Sequence, residues 1–266
     1  QGGKDWVVPY QNSPEFAEIM INTVKAPTYN RAFVADGTSI ANGSAGLSAI
    51  DSADVLTLDH IDAVAATLAD MEFKLQPVKI ADDPAAADEP MYVLYITNRQ
   101  WNNLQAQTGE KAWRTIMQNA WNPASYGSKH PLFKGNPGMW NNILIRKMDR
   151  AIRFNPGDVV RQITAANAAT ATESNVTVNA ALGAGYAVDR AMLLGAQALA
   201  HVYGKNQGSD TYANWMENKY NFERNLEVAG EVMGGKAKLR FDIPDENGNR
   251  IPTDHGVIVL DTAVKL

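Results

Sequence analysis

DRAMLLGAQALAHVYG (residues 189–204), LEVAGEVMGGKAKLRFD (226–242) and DHGVIVLDTAV (254–264) decide how this chain is read. In the first, Ala191, Leu194, Ala198, Leu199 and Val202 recur at near-helical spacing. That predicts a helix ending at Gly204, where a left-handed cap is needed. In the second, Gly234 and Gly235 predict a two-residue hairpin loop between arms of strand composition. The third reads as a closing strand. No segment carries a credible set of catalytic side chains, so the pattern speaks of architecture and not of chemistry.

Composition bounds the rest. The 266 residues, 45% of them hydrophobic, suffice for one large domain or two small ones. A formal charge of -5 and a pI near 5.4 do not favour nucleic acid as a dedicated partner. The absence of cysteine excludes disulfides, thiolate zinc sites and cysteine nucleophiles, and fits a reducing compartment. Apolar stretches are interrupted well before the roughly 20 residues of a bilayer helix, so no membrane partner is expected. The opening QGGKDWVVPY lacks both an initiator methionine and a signal-peptide pattern, which suits a processed product or part of a longer chain.

Along the chain, a short helix is expected at 15–24, followed by an exposed loop, DGTSIANGSAGLSA (36–49), poor in apolar side chains. Thr57 then reads as the N-cap of an amphipathic helix. Leu58, Ile61, Ala65, Leu68 and Met71 form its apolar stripe, and Asp59, Asp62 and Asp70 take the wet face. DDPAAADEP (82–90) reads as a surface connection. MYVLYIT (91–97) is a strand buried on both faces at the centre of a sheet.

Trp101 and Leu104 suggest one or two helical turns. Trp113, Ile116, Met117, Ala120 and Trp121 predict a helix over 111–121, with core packing favoured over partner binding. A turn-rich loop (122–138) precedes strands at 141–148 and 151–154. Residues 163–181, rich in Ala, Thr and Asn, read as a mobile loop or extended arm.

Candidate sites fail individually. Gly183 and Gly185 imitate the start of a dinucleotide fingerprint, but the third glycine, the preceding strand and the later acid are missing. His60, His130, His201 and His255 lie at no metal-ligand spacing from one another. His60, beside Asp59 and Asp62, reads as part of a solvated helix face, and His255 as a turn residue. The acid pairs Asp82–Asp83 and Asp88–Glu89 are neighbours in one solvent environment, unlike a general acid and base. Asn42 and Asn175 begin chance glycosylation sequons. No catalytic, cofactor-binding or metal-ligating residue is assigned, and no cofactor.

Taken in order, RAMLLGAQALAHVYG, ENKYNFERNLEVAGEVMGGKAKLRF and DHGVIVLDTA resemble the end of major capsid proteins of tailed bacteriophages with the Hong Kong 97-type fold. APTYNRAFVADG (26–37), MYVLYITNRQWNNLQ (91–105) and HPLFKGNPGMWNNILIRKM (130–148) look like the segments preceding it there. The resemblance implies an α+β shell subunit with an axial and a peripheral domain. Residues 1–56 would be a loop-rich part of the peripheral domain, 57–204 mostly axial, and 205–266 the peripheral hairpin and strand.

It further implies a structural role without enzymatic activity: self-assembly as hexamers and pentamers into an icosahedral shell around double-stranded DNA, bound without sequence specificity. Scaffolding, portal and decoration proteins are the implied partners, with assembly in the host cytoplasm and residence in the virion. Members also carry an N-terminal arm, an extended two-stranded loop and a long helix ahead of the matched region. Residues 1–56 are too few to hold all three, so the chain is either the C-terminal part of a longer subunit or reduced at its start. The polar stretches 36–49 and 163–181 suit arms that order against neighbours. The alternatives are a tail, decoration or adhesin module, and an enzyme using residues 183–204 for a nucleotide.

Overall fold

A computed structural model of the chain describes residues 26–78, 90–108, 138–164, 173–204, 213–222, 224–232, 234–244 and 248–266. The helices expected at 15–24 and 111–121, most of the connection at 82–90 and of the loop at 122–138, the paired acids and His130 lie outside them.

Strand β9 (Tyr186–Leu194) organises the molecule. One edge pairs antiparallel along its whole length with β16 (Val257–Lys265). The other edge is shared end to end by β3 (Tyr92–Ile96), which pairs at 192–194, and β6 (Ile152–Phe154), which pairs at 188–190. The sheet extends beyond β16 through β1 (Ala32–Asp36, parallel) to β2 (Ser39–Asn42). Beyond β3 it extends through β5 (Ile143–Lys147, parallel) to β4 (Gly138–Trp140). The order β2-β1-β16-β9-β3-β5-β4, with β6 beside β9, makes a mixed eight-stranded sheet.

The stretch expected to be a helix is therefore a strand, a turn and β10 (Leu199–Tyr203). Residues 187–191 of β9 are all buried, because helices cover one face of the sheet and a second cluster covers the other. A strand buried on both faces shows no alternation, and its Ala, Leu and Met residues imitate a helical stripe. The run ends at Gly195, where a Cβ would stand 2.4 Å from the Gln76 carbonyl oxygen. Gln197 then takes a positive φ of 58° and turns the chain out of the sheet. No helix reaches Gly204, so it caps none.

The helix after Thr57 forms as expected: α2 (Leu58–Asp70) follows the short α1 (Gly43–Ala49). Leu58, Ile61 and Leu68 are buried, joined by Val64, against Leu94, Ile143, Ile145, Ala191, Leu193, Ile258 and Leu260 of the sheet. Ala65 and Met71 are partly buried against this cluster. His60 is not on a solvated face; it is fully buried. It occupies the third helical position, and its Nδ1 accepts from the Thr57 amide (3.1 Å) while Thr57 Oγ1 accepts from the His60 amide. A histidine thus fills the capping-box role usual for Glu or Gln.

The segment expected to be an exposed loop, 36–49, instead forms β2 and α1, with Leu47 fully buried. Its small residues permit close approach, since a Cβ at Gly46 would lie 2.5 Å from Val34 Cβ. Strand β3 is interior as expected, although only Leu94 and Ile96 of it are fully buried. It leads into α3 (Asn98–Ala106), capped by Thr97, which buries Trp101 and Leu104. Within 163–181, β8 (Glu173–Thr177) pairs with β7 (Val159–Ile163), Ile163 is buried, and Val178 is buried with Leu47, Ile50 and Phe154, as is Leu182 just beyond. That stretch has apolar anchors after all.

Gly234 and Gly235 do not form a turn. They lie in β13 (Gly234–Lys238), which pairs with β10, Tyr203 opposite Gly234 and Leu199 opposite Lys238. The preceding arm is β12 (Asn225–Val232), whose partner is β11 (Ala213–Tyr220). Both arms are strands, but each pairs with a segment earlier in the chain. A ladder of β14 (Arg240–Pro244) and β15 (Arg250–Asp254) then leads back into β16. The closing strand forms as expected and pairs between β1 and β9 inside the main sheet.

Candidate functional site

The histidines and glycines weighed from the sequence are dispersed. His201, on β10, is exposed and sits 3.1 Å from the Tyr203 hydroxyl through Nδ1. His255 lies in the turn before β16, its Nε2 3.2 Å from Gln197 Oε1 and its ring edge-on to Phe241. Gly183 and Gly185 have φ of 87° and 93° and lead from a short 3-10 turn into β9. A strand, not a helix, follows them, so no helix N-terminus faces a phosphate there. Among the described residues, no group of three or more His, Cys, Asp or Glu is placed to hold a metal.

Three arrangements are built into the fold instead, two of them polar. The first fixes the centre of the main sheet. Neighbours Asp189 and Arg190 point to opposite faces of β9, each toward its own partner. Asp189, fully buried, accepts from Arg153 Nε (2.6 Å) and Nη2 (2.8 Å) on β6 and from Thr97 Oγ1 (2.7 Å). Gln100 of α3 donates to the Asp189 carbonyl and to Thr262 Oγ1. On the other face, Arg190 makes a two-pronged contact with Asp261 of β16, both bonds 2.7 Å, and its guanidinium lies over the Phe154 ring. A slip of one residue would exchange the two faces and put like charges together, so the pairs specify the register.

The second arrangement gathers on Asp254, almost fully buried at the end of β15. Its carboxylate accepts from Lys238 Nζ (2.6 Å), Arg240 Nε (2.9 Å) and the Thr28 amide (3.1 Å). Its carbonyl accepts from Arg31 Nε (3.1 Å). Lys238 Nζ also donates to the Ala26 carbonyl (2.8 Å), as does Arg240. Burial pushes the Lys238 ammonium down to about 8 and the Arg31 guanidinium down to about 10, against the pull of Asp254. The cluster ties the stretch entering at Ala26, the end of β13 and the return into β16 at one point.

The third leaves that point. β10 and β13 form the root of a two-stranded ribbon, and β11 and β12 its outer part, eight residue pairs long. The outer turn places Asn221 and Phe222 at φ of 58° and 57°. Register puts Trp215, Glu217 and Lys219 of β11 on one face with Gly230, Val228 and Leu226 opposite them. Met216, Asn218 and Tyr220 share the other face with Glu227 and Asn225. Trp215 is 66% exposed, Leu226 59% and Phe222 96%. Tyr203, Val202, Leu199 and Val228 are exposed as well.

A lone two-stranded ribbon is marginal in water, and a contiguous row of exposed large apolar side chains marks an interaction surface. The period-2 pattern of Leu226, Val228 and Gly230 between Glu227 and Ala229 was readable in the sequence. The partnership of Trp215 with that row was not, because Gly234 and Gly235 point to a hairpin one strand later than the one that forms. The Asp254 cluster left no local signal, since its members stand up to 226 residues apart.

A family model described as phage capsid protein matches residues 7–266. No curated protein matches the sequence significantly. Among solved structures, the capsid of Ralstonia phage GP4 superposes with a TM-score of 0.57 at 20% identity, covering 92% of this chain and 55% of that one. The cyanophage Pam1 capsid asymmetric unit gives 0.53 at 16%, covering 89% and 55%. The chain thus spans about half the length of these capsid subunits, with which it shares a fold.

Proposed function

Because this chain belongs to the phage capsid protein family, we propose that it is a major capsid protein, a structural subunit whose copies assemble into the shell of the virion. The observation that carries the reading is the ribbon, which leaves Trp215, Leu226, Val228 and Phe222 exposed beyond the folded body and gains stability only when another surface covers them. Support also comes from the main sheet behind it, where buried ion pairs hold one register and the Asp254 cluster holds the ribbon's root.

In finer terms, the fold is of the Hong Kong 97 type and the copies form hexamers and pentamers around double-stranded DNA. Residues 1–56 belong to the peripheral domain, 57–204 mostly to the axial domain, and 205–266 return to the periphery, with β16 contributing to the main sheet as it passes. Scaffolding, portal and decoration proteins are its further partners, and assembly proceeds in the host cytoplasm. With a net charge of -5, contact with DNA is local and independent of sequence. No reaction is assigned to it.

Negative-stain microscopy of the protein co-expressed with its scaffolding protein tests the proposal. Capsomers or closed shells are the expected result. Persistent monomers at high concentration would sink it.

A further inference from the structure

The outer ribbon has one face that complements itself. On that face the row pairing Glu217 with Val228 is followed by the row pairing Lys219 with Leu226, and the row before them pairs Trp215 with Gly230. One strand edge of the face therefore carries an acid and then a base, and the other carries two aliphatic side chains. Lys219 Nζ and Glu217 Oε1 are 4.0 Å apart, both substantially exposed, so each retains capacity for a second partner. The opposite face lacks this balance: it presents Glu227 among Asn218, Asn225, Met216 and Tyr220.

We infer that this face docks on the same face of a second copy, about a two-fold axis that crosses the ribbon between the Glu217–Val228 and Lys219–Leu226 rows. An axis in the contact plane and perpendicular to the strands reverses each strand while keeping β11 over β11 and β12 over β12. It then sets Glu217 over Lys219 of the second copy and Val228 over its Leu226, and each contact occurs twice, as an isologous interface requires. Trp215 falls over the turn of the other copy at Asn221 and Arg224. Gly230, opposite Trp215, has nothing within 4 Å of where a Cβ would stand, which leaves room beside the indole for that turn.

The second copy is favoured over an unrelated partner by this match of charge and apolar rows, because a foreign surface would have to carry the same alternation by coincidence. Size agrees with a lattice contact and not with a free dimer. Eight pairs at about 3.3 Å rise and two strands about 4.8 Å apart offer on the order of 250 Å² per copy, against about 800 Å² in a standard stable interface. The contact is weak singly and gains force when repeated through a shell. It rests on the shell reading above.

Charge reversal and mixing test it. Glu217→Lys sets a lysine over Lys219 across the axis, and Lys219→Glu sets a glutamate over Glu217. Each variant alone is expected to give about tenfold fewer assembled particles by sedimentation and negative stain, with unchanged monomer melting, because like charges then meet across the axis. An equimolar mixture of the two should recover to within about twofold of the unmodified protein, since the faces then attract. Normal assembly of either variant alone, or a mixture no better than its components, would overturn the two-fold pairing while leaving the shell function standing. Failure of the unmodified protein to assemble would overturn both.

Discussion

Replacing Asp254 by Asn removes the carboxylate that Lys238 and Arg240 share at the junction of three segments. The carboxylate is about 1% exposed and receives Lys238, Arg240 and the Thr28 amide. An asparagine keeps the shape but not the charge, so two cations that are mostly buried lose their counterion. Removing one partner of a buried pair typically costs about 3–5 kcal/mol. Lys238 limits the loss: burial already holds its ammonium down at about 8, and removing Asp254, which raises it, brings it closer to releasing its proton. Arg240 has no such escape.

The expected loss is therefore about 3 kcal/mol or more, a sizeable part of the roughly 5–15 kcal/mol of a typical domain. Lys238→Met is the informative companion. It deletes a cation that burial disfavours, leaves Arg240 and Thr28 on the carboxylate, and should change stability by less than about 1 kcal/mol. In the unmodified protein the titration of Lys238 carries a sign. The folded ammonium releases its proton near 8 and the unfolded one near 10.5, so between these values the unfolded chain binds more protons and stability rises with pH. Urea titrations of the unassembled protein at pH 7 and across pH 8–10 measure both effects. A loss below 1 kcal/mol for Asp254→Asn, or an alkaline rise that persists in Lys238→Met, would refute the reasoning.

Three further outcomes are expected. Burial lowers the His60 pKa from 6.5, so the unfolded chain takes up the proton first and stability falls as pH drops below 6.5. His60→Gln, which keeps a capping side chain, should remove that component of the acid sensitivity in thermal melts at pH 5 and 7. Gly256→Ala would place a Cβ 2.6 Å from the Ala198 backbone, where only main chain can yield, and should cost at least about 1–3 kcal/mol in denaturant titration. Trp215→Ser should leave the unassembled protein's stability within about 0.5 kcal/mol, because the indole is 66% exposed, while lowering particle yield in sedimentation.

Elements with a local signature were legible. Thr57 and the stripe Leu58, Ile61 and Leu68 define α2 by hydrogen bonding and periodicity inside one segment, and β3 announces itself as an apolar run of strand length. The misreadings share a cause. In β9, burial on both faces erased the alternation that distinguishes a strand, and Ala, Leu and Met supplied a false helical stripe. At 36–49, small residues that look like a loop in isolation serve a helix pressed against β1. At Gly234, the turn chemistry was suitable, but pairing with β10 took the glycines into a ladder. At His60, a charged neighbourhood in sequence hid a role inside the helix cap.

The sequence by itself determined the properties that depend on composition and on near neighbours: the missing thiol chemistry, the interrupted apolar runs, the capped helix α2, the interior strand β3 and, through an ordered series of weak resemblances, the capsid family. Only the tertiary structure decided which strands pair, that β16 runs through the main sheet, that Asp189 and Arg190 face opposite ways toward Arg153 and Asp261, and that Trp215 joins Leu226 and Val228 on one open face. Helix caps and periodicity are set within a few residues, whereas the pairing of Ala32 with Val259 and the hydrogen bond from Thr28 to Asp254, 226 residues away, join opposite ends of the chain. Their free energy depends on register and burial, which exist only once the chain has folded.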